Sequence, residues 1–293
     1  MANYNDWIRA GSIASKTREY SKGLIKQSAS VLDVADKIEA KIKELGAEIG
    51  FPVNISMNDV AAHSTALPDD ETVFDNEVVK IDIGTSVNGA IGDTAYTIDL
   101  SGRYSDLVKA SREALNNAEK ILCIGVTLGE IGKTIQETIQ SYGFSPVKNL
   151  SGHGLDKFEV HTNPSVPNYD TGDKTKLKKG MIIAIEPFAT NGFGMIKESS
   201  NAMIFSQTAA NPVRDFTARK VLGQISSYNN LPFTTRWFTS SNLTHARLKL
   251  ALKSLLHAGN IRQYPPLVEV NKGIVSQAEH SYIIDEKIIC TTK

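Results

Sequence analysis

Two helical patterns in this chain repeat each other position for position, and a duplication of that kind restricts the fold to two similar halves facing one another. Between Ser30 and Leu45 the apolar residues Val34, Ile38, Ile42 and Leu45 recur at spacings of three and four, which marks one face of a helix. Ser30 and Asp33 predict its N-terminal cap. The same register returns between Thr127 and Tyr142, where Thr127 and Glu130 form a capping-box signature and Ile131, Ile135, Ile139 and Tyr142 make the apolar face. Leu24-Ile25 and Ile121-Leu122 correspond at the same offset. So do the strand lead-ins Gly50-Phe51-Pro52-Val53 and Gly143-Phe144-Ser145-Pro146-Val147. These matches predict two units, roughly residues 5–100 and 104–206, each with two helices followed by strands. Packed about a pseudo-twofold axis, they would form an α+β domain with a site between the halves. Chance coincidence of two ordinary capped helix pairs is the plain alternative.

Beyond Gly180, Met181-Ile182-Ile183-Ala184-Ile185 is short, apolar and β-branched, as a buried strand should be. From about residue 207 the texture turns helical, with helices expected over 216–225 and 241–258, the second stopped by Ala258-Gly259-Asn260. Strands return at 274–279 and 287–290. The expected organisation is a domain over 1–206, a helical, winged-helix-like insert over 207–262, and completing strands over 263–293.

The chain's 293 residues, 41% of them hydrophobic, suit one large domain with an insert and exclude disorder as the dominant state. Lys+Arg and Asp+Glu both number 32, which removes the broad electrostatic pull of a nonspecific nucleic-acid or anionic-membrane binder. Cys123 and Cys290 form no C-x-x-C pair and are expected to be small hydrophobes in the core. No charged n-region precedes an apolar h-region, and no stretch approaches the roughly 20 apolar residues a bilayer requires. A cytoplasmic protein without membrane contact is the expectation.

The chemistry concentrates around Val78–Tyr96, which reads as a β-hairpin. A turn centred between Val87 and Asn88 sets Asp82 directly opposite Asp93, and facing carboxylates repel unless one is protonated or a cation lies between them. A solvated polar face is the bland reading; a divalent metal is the sharper one. Glu186 closes the apolar strand 181–185, Glu279 follows another strand, and His153 sits between two glycines that leave its ring accessible. Four carboxylates and one imidazole overcharge a single divalent ion. Two ions bridged by shared carboxylates balance them, and two-metal hydrolysis is the chemistry implied, with the ions roughly 3.5 to 4 Å apart.

Asp82, Asp93, His153, Glu186 in Ile185-Glu186-Pro187-Phe188 and Glu279 in Gln277-Ala278-Glu279-His280 together resemble the methionine aminopeptidases, in order and over nearly the whole chain. The insert before Tyr264-Pro265-Pro266-Leu267 is similar to that of the type II subfamily in its short form, without an N-terminal extension. The resemblance implies the pita-bread fold and removal of the initiator methionine from nascent polypeptides with a small second residue. It implies two divalent ions among Co, Mn, Fe and Zn, with Asp82 on one, Asp93 and Glu279 bridging, and His153 and Glu186 on the other. Glu186 would also shuttle a proton. His161 would hydrogen-bond the scissile amide, His63 would contact the peptide beside it, and Phe51, Val160 and Tyr264 would line the methionine pocket. Phe51 and Val160 also suit ordinary core. Ser281 departs mildly from the family, whose Glu-His motif often continues with Thr.

Further expectations are a monomer, transient ribosome contact through a mildly basic insert (Lys249, Lys253, Arg262), and surface positions for His245 and His257. His280 points to the opposite strand face from Glu279. The alternatives are an X-Pro aminopeptidase or dipeptidase with the same ligand set, and a non-catalytic ribosome- or nucleic-acid-binding relative.

Overall fold

A computed structural model describes residues 4–199, 201–238 and 243–293. Four helices divide evenly between two halves: α1 (Asn5–Lys22), α2 (Val31–Glu44), α3 (Ser105–Ile121) and α4 (Leu128–Ser141). Both caps read from the sequence form. The Ser30 side chain accepts from the Asp33 amide, and Thr127 and Glu130 close a complete capping box. α2 and α4 therefore match in both ends and face. The preceding pair keeps the offset less strictly, because Leu24 and Ile25 lie beyond the end of α1 whereas Ile121 ends α3.

In the first half, Ile13, Val34, Ile38 and Ile42 pack on Ile55, Ile81 and Ile83 of the antiparallel strands Glu48–Met57 and Val78–Val87, which Ala90–Asp99 extends. In the second, Leu107, Leu115, Ile131 and Ile135 pack on Ile183, Ile185 and Tyr282. The sheet there includes Ser151–Asp156, Ile182–Ile185 and His280–Ile283. The α+β expectation with two facing halves is met.

The hairpin register differs from the expectation by one residue on each strand. Val87 pairs with Ala90, Gly84 with Asp93 and Asp82 with Ala95. The two-residue turn is Asn88-Gly89, with φ of 50° and 86°. That left-handed pair is what the twist of a hairpin selects, and Val87 suits it poorly. Asp82 and Asp93 are consequently diagonal neighbours on one face, roughly 7 to 8 Å apart along the backbone, rather than directly opposed.

Between the strands Ile204–Gln207 and Ile261–Tyr264, which pair with each other, the chain builds a cluster of its own from Phe205, Val221, Ile225, Phe233, Leu248 and Leu255. Its helices are α5 (Phe216–Ile225) and α6 (His245–His257). Positions 241 and 242 of the expected second helix lie outside the described residues. The cysteine expectation fails for Cys123, which is exposed, whereas Cys290 is half-buried and packs against the core. α3 has ended before Cys123, and Leu122 and Val126 take the inward positions of that turn. His245 and His257 are exposed as expected. Among the described residues no helix is long and apolar enough to cross a membrane.

Candidate metal centre and peptide cleft

Three strands of the second half bring ligand-type side chains to one line. His153 is in register with Ala184, and Ile185 with His280. Continuing that last register by one residue sets Glu186 beside Glu279. The first half supplies Asp82 and Asp93, and hydroxyl groups rather than a regular ladder lock them to the Glu279 segment. Thr94 Oγ1 donates to the Glu279 carbonyl at 2.9 Å, and the Glu279 amide donates to Ala95 O at 3.0 Å. Ser281 Oγ accepts from the Asp93 amide at 3.0 Å and donates to the Asp93 carbonyl at 2.8 Å. The hydroxyl kept at position 281 thus grips one of the two hairpin aspartates.

One atom each of Asp93, His153 and Glu279 lie within 4.8 Å of one another, all three residues being buried. His153 Nε2 is 3.8 Å from Asp93 Oδ2 and 3.7 Å from Glu186 Oε1. These are too long for hydrogen bonds, and burial, with His161 nearby, lowers the His153 pKa to about 3. The ring is neutral, so the contacts are not ion pairs. Its Nδ1 lies 3.2 Å from the Gly154 carbonyl, which fixes that nitrogen as the donor and leaves the Nε2 lone pair facing the carboxylates.

All four carboxyl groups are pushed upward, first by burial. Asp82 rises to about 7. Asp93 rises well above the usual range through burial and the charges of Asp82 and Glu186; Glu186 through burial and Asp82; Glu279 through burial and the other three. Asp82 Oδ1, Asp93 Oδ1 and Glu279 Oε2 are buried without a hydrogen-bond partner among the described residues. Buried unpaired carboxylate oxygens are costly, and divalent ions are what such a set of hard oxygens and one neutral imidazole fits.

The same residues floor a cavity of about 340 Å³ whose walls carry every other residue singled out in the sequence: Phe51, His63, Val160, His161 and Tyr264. His63 holds a left-handed φ of 61°, a costly conformation for a branched ring that marks a position fixed by its surroundings. Its ring meets Tyr264 edge-on at 5.5 Å, and that of His161 meets His153 edge-on at 4.5 Å. Burial lowers the His63 and His161 imidazoles to about 4, His161's proximity adding to the shift of His63 and Arg262's to that of His161. His161 retains accessible surface because it faces the cleft, yet protein crowds it closely enough to desolvate the ring. Phe51 and Val160 are buried and belong to a cluster with Trp7, Ile91 and Leu231. They are core and cavity wall at once.

Sequence reasoning missed Asn54, which pairs with Asp82 across the strands and lines the cavity. It missed Gln277 as a contact too, whose amide donates to Glu186 Oε2 at 3.2 Å. Gln277 stands two residues before Glu279 on an alternating strand, and that period was the available signal. His280 turns away from the carboxylates toward Arg18, Arg112 and Thr292.

Residues 7–209 match the model of metallopeptidase family M24. Along its whole length the chain is 46% identical to a methionine aminopeptidase of Methanocaldococcus jannaschii, covering 99% of that protein. The chain belongs to the methionine aminopeptidases. The pita-bread fold of methionine aminopeptidases follows, and a crystal structure of such an enzyme from Thermotoga maritima superposes with a TM-score of 0.71 at 23% identity, over 98% of this chain and 95% of that one. A prolidase from Pyrococcus furiosus shares the fold at a TM-score of 0.61 and 20% identity, but the match spans only 63% of it. A methionine aminopeptidase of family M24 is a metallopeptidase, and divalent metal use comes with that membership.

Proposed function

We propose that this chain hydrolyses the first peptide bond of polypeptides that begin with methionine and carry a small second residue, as the initiator-processing enzyme of its cell. The observation that carries the proposal is the convergence of four carboxyl groups, Asp93 and Glu279 buried and Asp82 and Glu186 half-buried, and a neutral imidazole on the floor of a cavity whose walls carry two neutral histidines and an apolar end. Asp82, Asp93, His153, Glu186 and Glu279 would together hold divalent ions, two among Co, Mn, Fe and Zn being what their combined charge suits. Ions bound there supply an acidified water, polarisation of the scissile carbonyl and a seat for the free α-amine.

The protein's own groups do the rest. Neutral His161 donates a hydrogen bond to the scissile amide, and neutral His63 holds the peptide beside it. Glu186 takes a proton from the attacking water and passes it to the departing amine. Phe51, Val160 and Tyr264 receive the methionine side chain in an apolar recess.

The insert over 207–262, standing between the catalytic stretches 1–206 and 263–293, favours the type II subfamily. Its charge is one-sided. Arg214, Arg219, Lys220, Arg247, Lys249, Lys253 and Arg262 are exposed, against the single acid Asp215, which caps α5. In a chain of zero net charge this basic lobe supports transient contact with ribosomal RNA by a cytoplasmic monomer.

The test is release of free methionine from Met-Ala-Ser and Met-Pro-Gly by chelator-stripped protein, with and without Mn or Co. Metal-dependent release from Met-Ala-Ser with the second bond intact is expected. Cleavage confined to proline-containing peptides would shift the reading to the proline-directed relatives.

A further inference from the structure

Glu39 is an acid on the buried face of α2, 5% exposed among Val34, Ile38 and Ile42. Its carboxylate takes hydrogen bonds from two opposite sides. From the insert, Arg236 donates through Nη2 to Oε1 at 2.7 Å and through Nη1 to Oε2 at 2.8 Å, and Trp237 Nε1 donates to Oε2 at 2.8 Å. From the first half, the backbone amide of Val53 donates to Oε1 at 3.2 Å. Arg236, 6% exposed, also reaches Asp36 at 2.8 Å and the Ala66 carbonyl at 3.4 Å.

The anchoring points share a destination. Val53 lies between Phe51 and Asn54, both on the cavity wall, and Ala66 lies three residues after His63 in the same loop. On the insert side, Arg236 follows Thr234, which pairs with Ile204, and Ile204 pairs with Tyr264. Ile204 and Tyr264 line the same cavity from the insert side. One ion pair therefore joins the two walls between which the substrate's first side chain would sit.

A buried ion pair is a poor source of net stability, because desolvation of both charges offsets their attraction, and apolar replacements of similar volume often fold as well. What a bidentate guanidinium–carboxylate fork does supply is a fixed distance and angle. We infer that Glu39 and Arg236 are positioning residues that set the width of the side-chain recess, and so the preference for methionine over branched or shorter side chains. The inference rests on reading the cavity as the methionine site.

The test compares the wild-type enzyme with an E39M/R236L double variant and with R236K, which keeps the charge and loses the fork. Steady-state kinetics on Met-Ala-Ser and Leu-Ala-Ser, metal content and thermal midpoint are read for each. In the double variant the kcat/KM preference for methionine is expected to fall about tenfold, the scale at which pockets separate side chains of similar size, with KM rising and kcat and metal content nearly unchanged. R236K should shift the preference in the same direction, which covers a double variant that does not fold. Folded variants that keep the wild-type preference, or that lose both peptides equally through kcat, overturn the inference. Wild-type protein that fails to release methionine with any metal overturns the functional reading instead.

Discussion

His161 and Asp93 stand close together in one cleft and should fail in opposite ways. The proposed role of His161 is with the peptide rather than with metal, so His161→Ala should lower kcat by roughly 10² to 10³-fold, the range for loss of one donor to a reacting amide, while metal content stays at the wild-type level. Loss of metal stoichiometry in that variant, read by elemental analysis, would contradict the assignment. Asp93 shares its surroundings with His153 and Glu279, one atom of each lying within 4.8 Å of the others. Asp93→Ala should release one ion first in a calorimetric titration, with a parallel loss of turnover. Retention of both ions would remove Asp93 from the centre. At this scale the sequence was informative for part of the site: two aspartates on a hairpin, a glycine-flanked histidine and glutamates at two strand ends singled out five residues that line one cavity. His63, His161 and the recess residues came only from the family resemblance. Asn54 and Gln277 escaped because an amide on a strand looks the same whether it touches a carboxylate or water.

The crossing of two strands carries its own constraint. A Cβ added at Gly84 would overlap the Phe51 ring, since Gly84 and Phe51 face each other in register. Gly84→Ala should therefore push that ring into the apolar recess and raise KM for Met-Ala-Ser by about tenfold, in line with the sensitivity of such pockets to single carbon atoms. An unchanged KM would mean that Phe51 yields away from the cavity. The helices were legible to within a residue at both capped ends because Ser30, Thr127 and Glu130 state where they start. The hairpin was legible as a hairpin but misaligned by one residue per strand. Alternating hydrophobicity does not locate a turn. The demand for two left-handed residues does, and Asn88-Gly89 answers it. The joining of the halves through Thr94 and Ser281 hydroxyls was invisible, because side-chain stitching leaves no periodic trace.

Across the whole molecule, a cluster of four buried acids makes stability depend on pH in a way that metal should reverse. The folded Asp82 value of about 7 lies above its ordinary 3.8, and Asp93, Glu186 and Glu279 move in the same direction. The metal-free fold thus holds protons that the unfolded chain has released, and that contribution is full below about pH 4 and lost as pH rises through about 7. His63, His153 and His161 act oppositely. Their folded values of about 3 to 4 lie below 6.5, so their contribution is present above 6.5 and lost as pH falls toward 4. Between about pH 6.5 and 8 the imidazole effect no longer varies, and the carboxyl effect of several groups outweighs the opposing one of buried Lys80, whose folded value of about 7 lies below its ordinary 10.5. Calorimetry on stripped protein should show the thermal midpoint falling across that window, and saturating Mn should flatten or reverse the slope. A flat profile without metal would mean that the acids do not interact as their burial requires.

The most direct test of a metal-loaded exopeptidase centre follows occupancy and chemistry together. Stripped protein is titrated with Mn in a calorimeter, and each sample is then assayed for methionine release from Met-Ala-Ser and from its N-acetylated form. Activity that grows with bound metal, on the free-amine peptide alone, is the predicted result. Full turnover without bound metal, or equal cleavage of the acetylated peptide, would contradict the account.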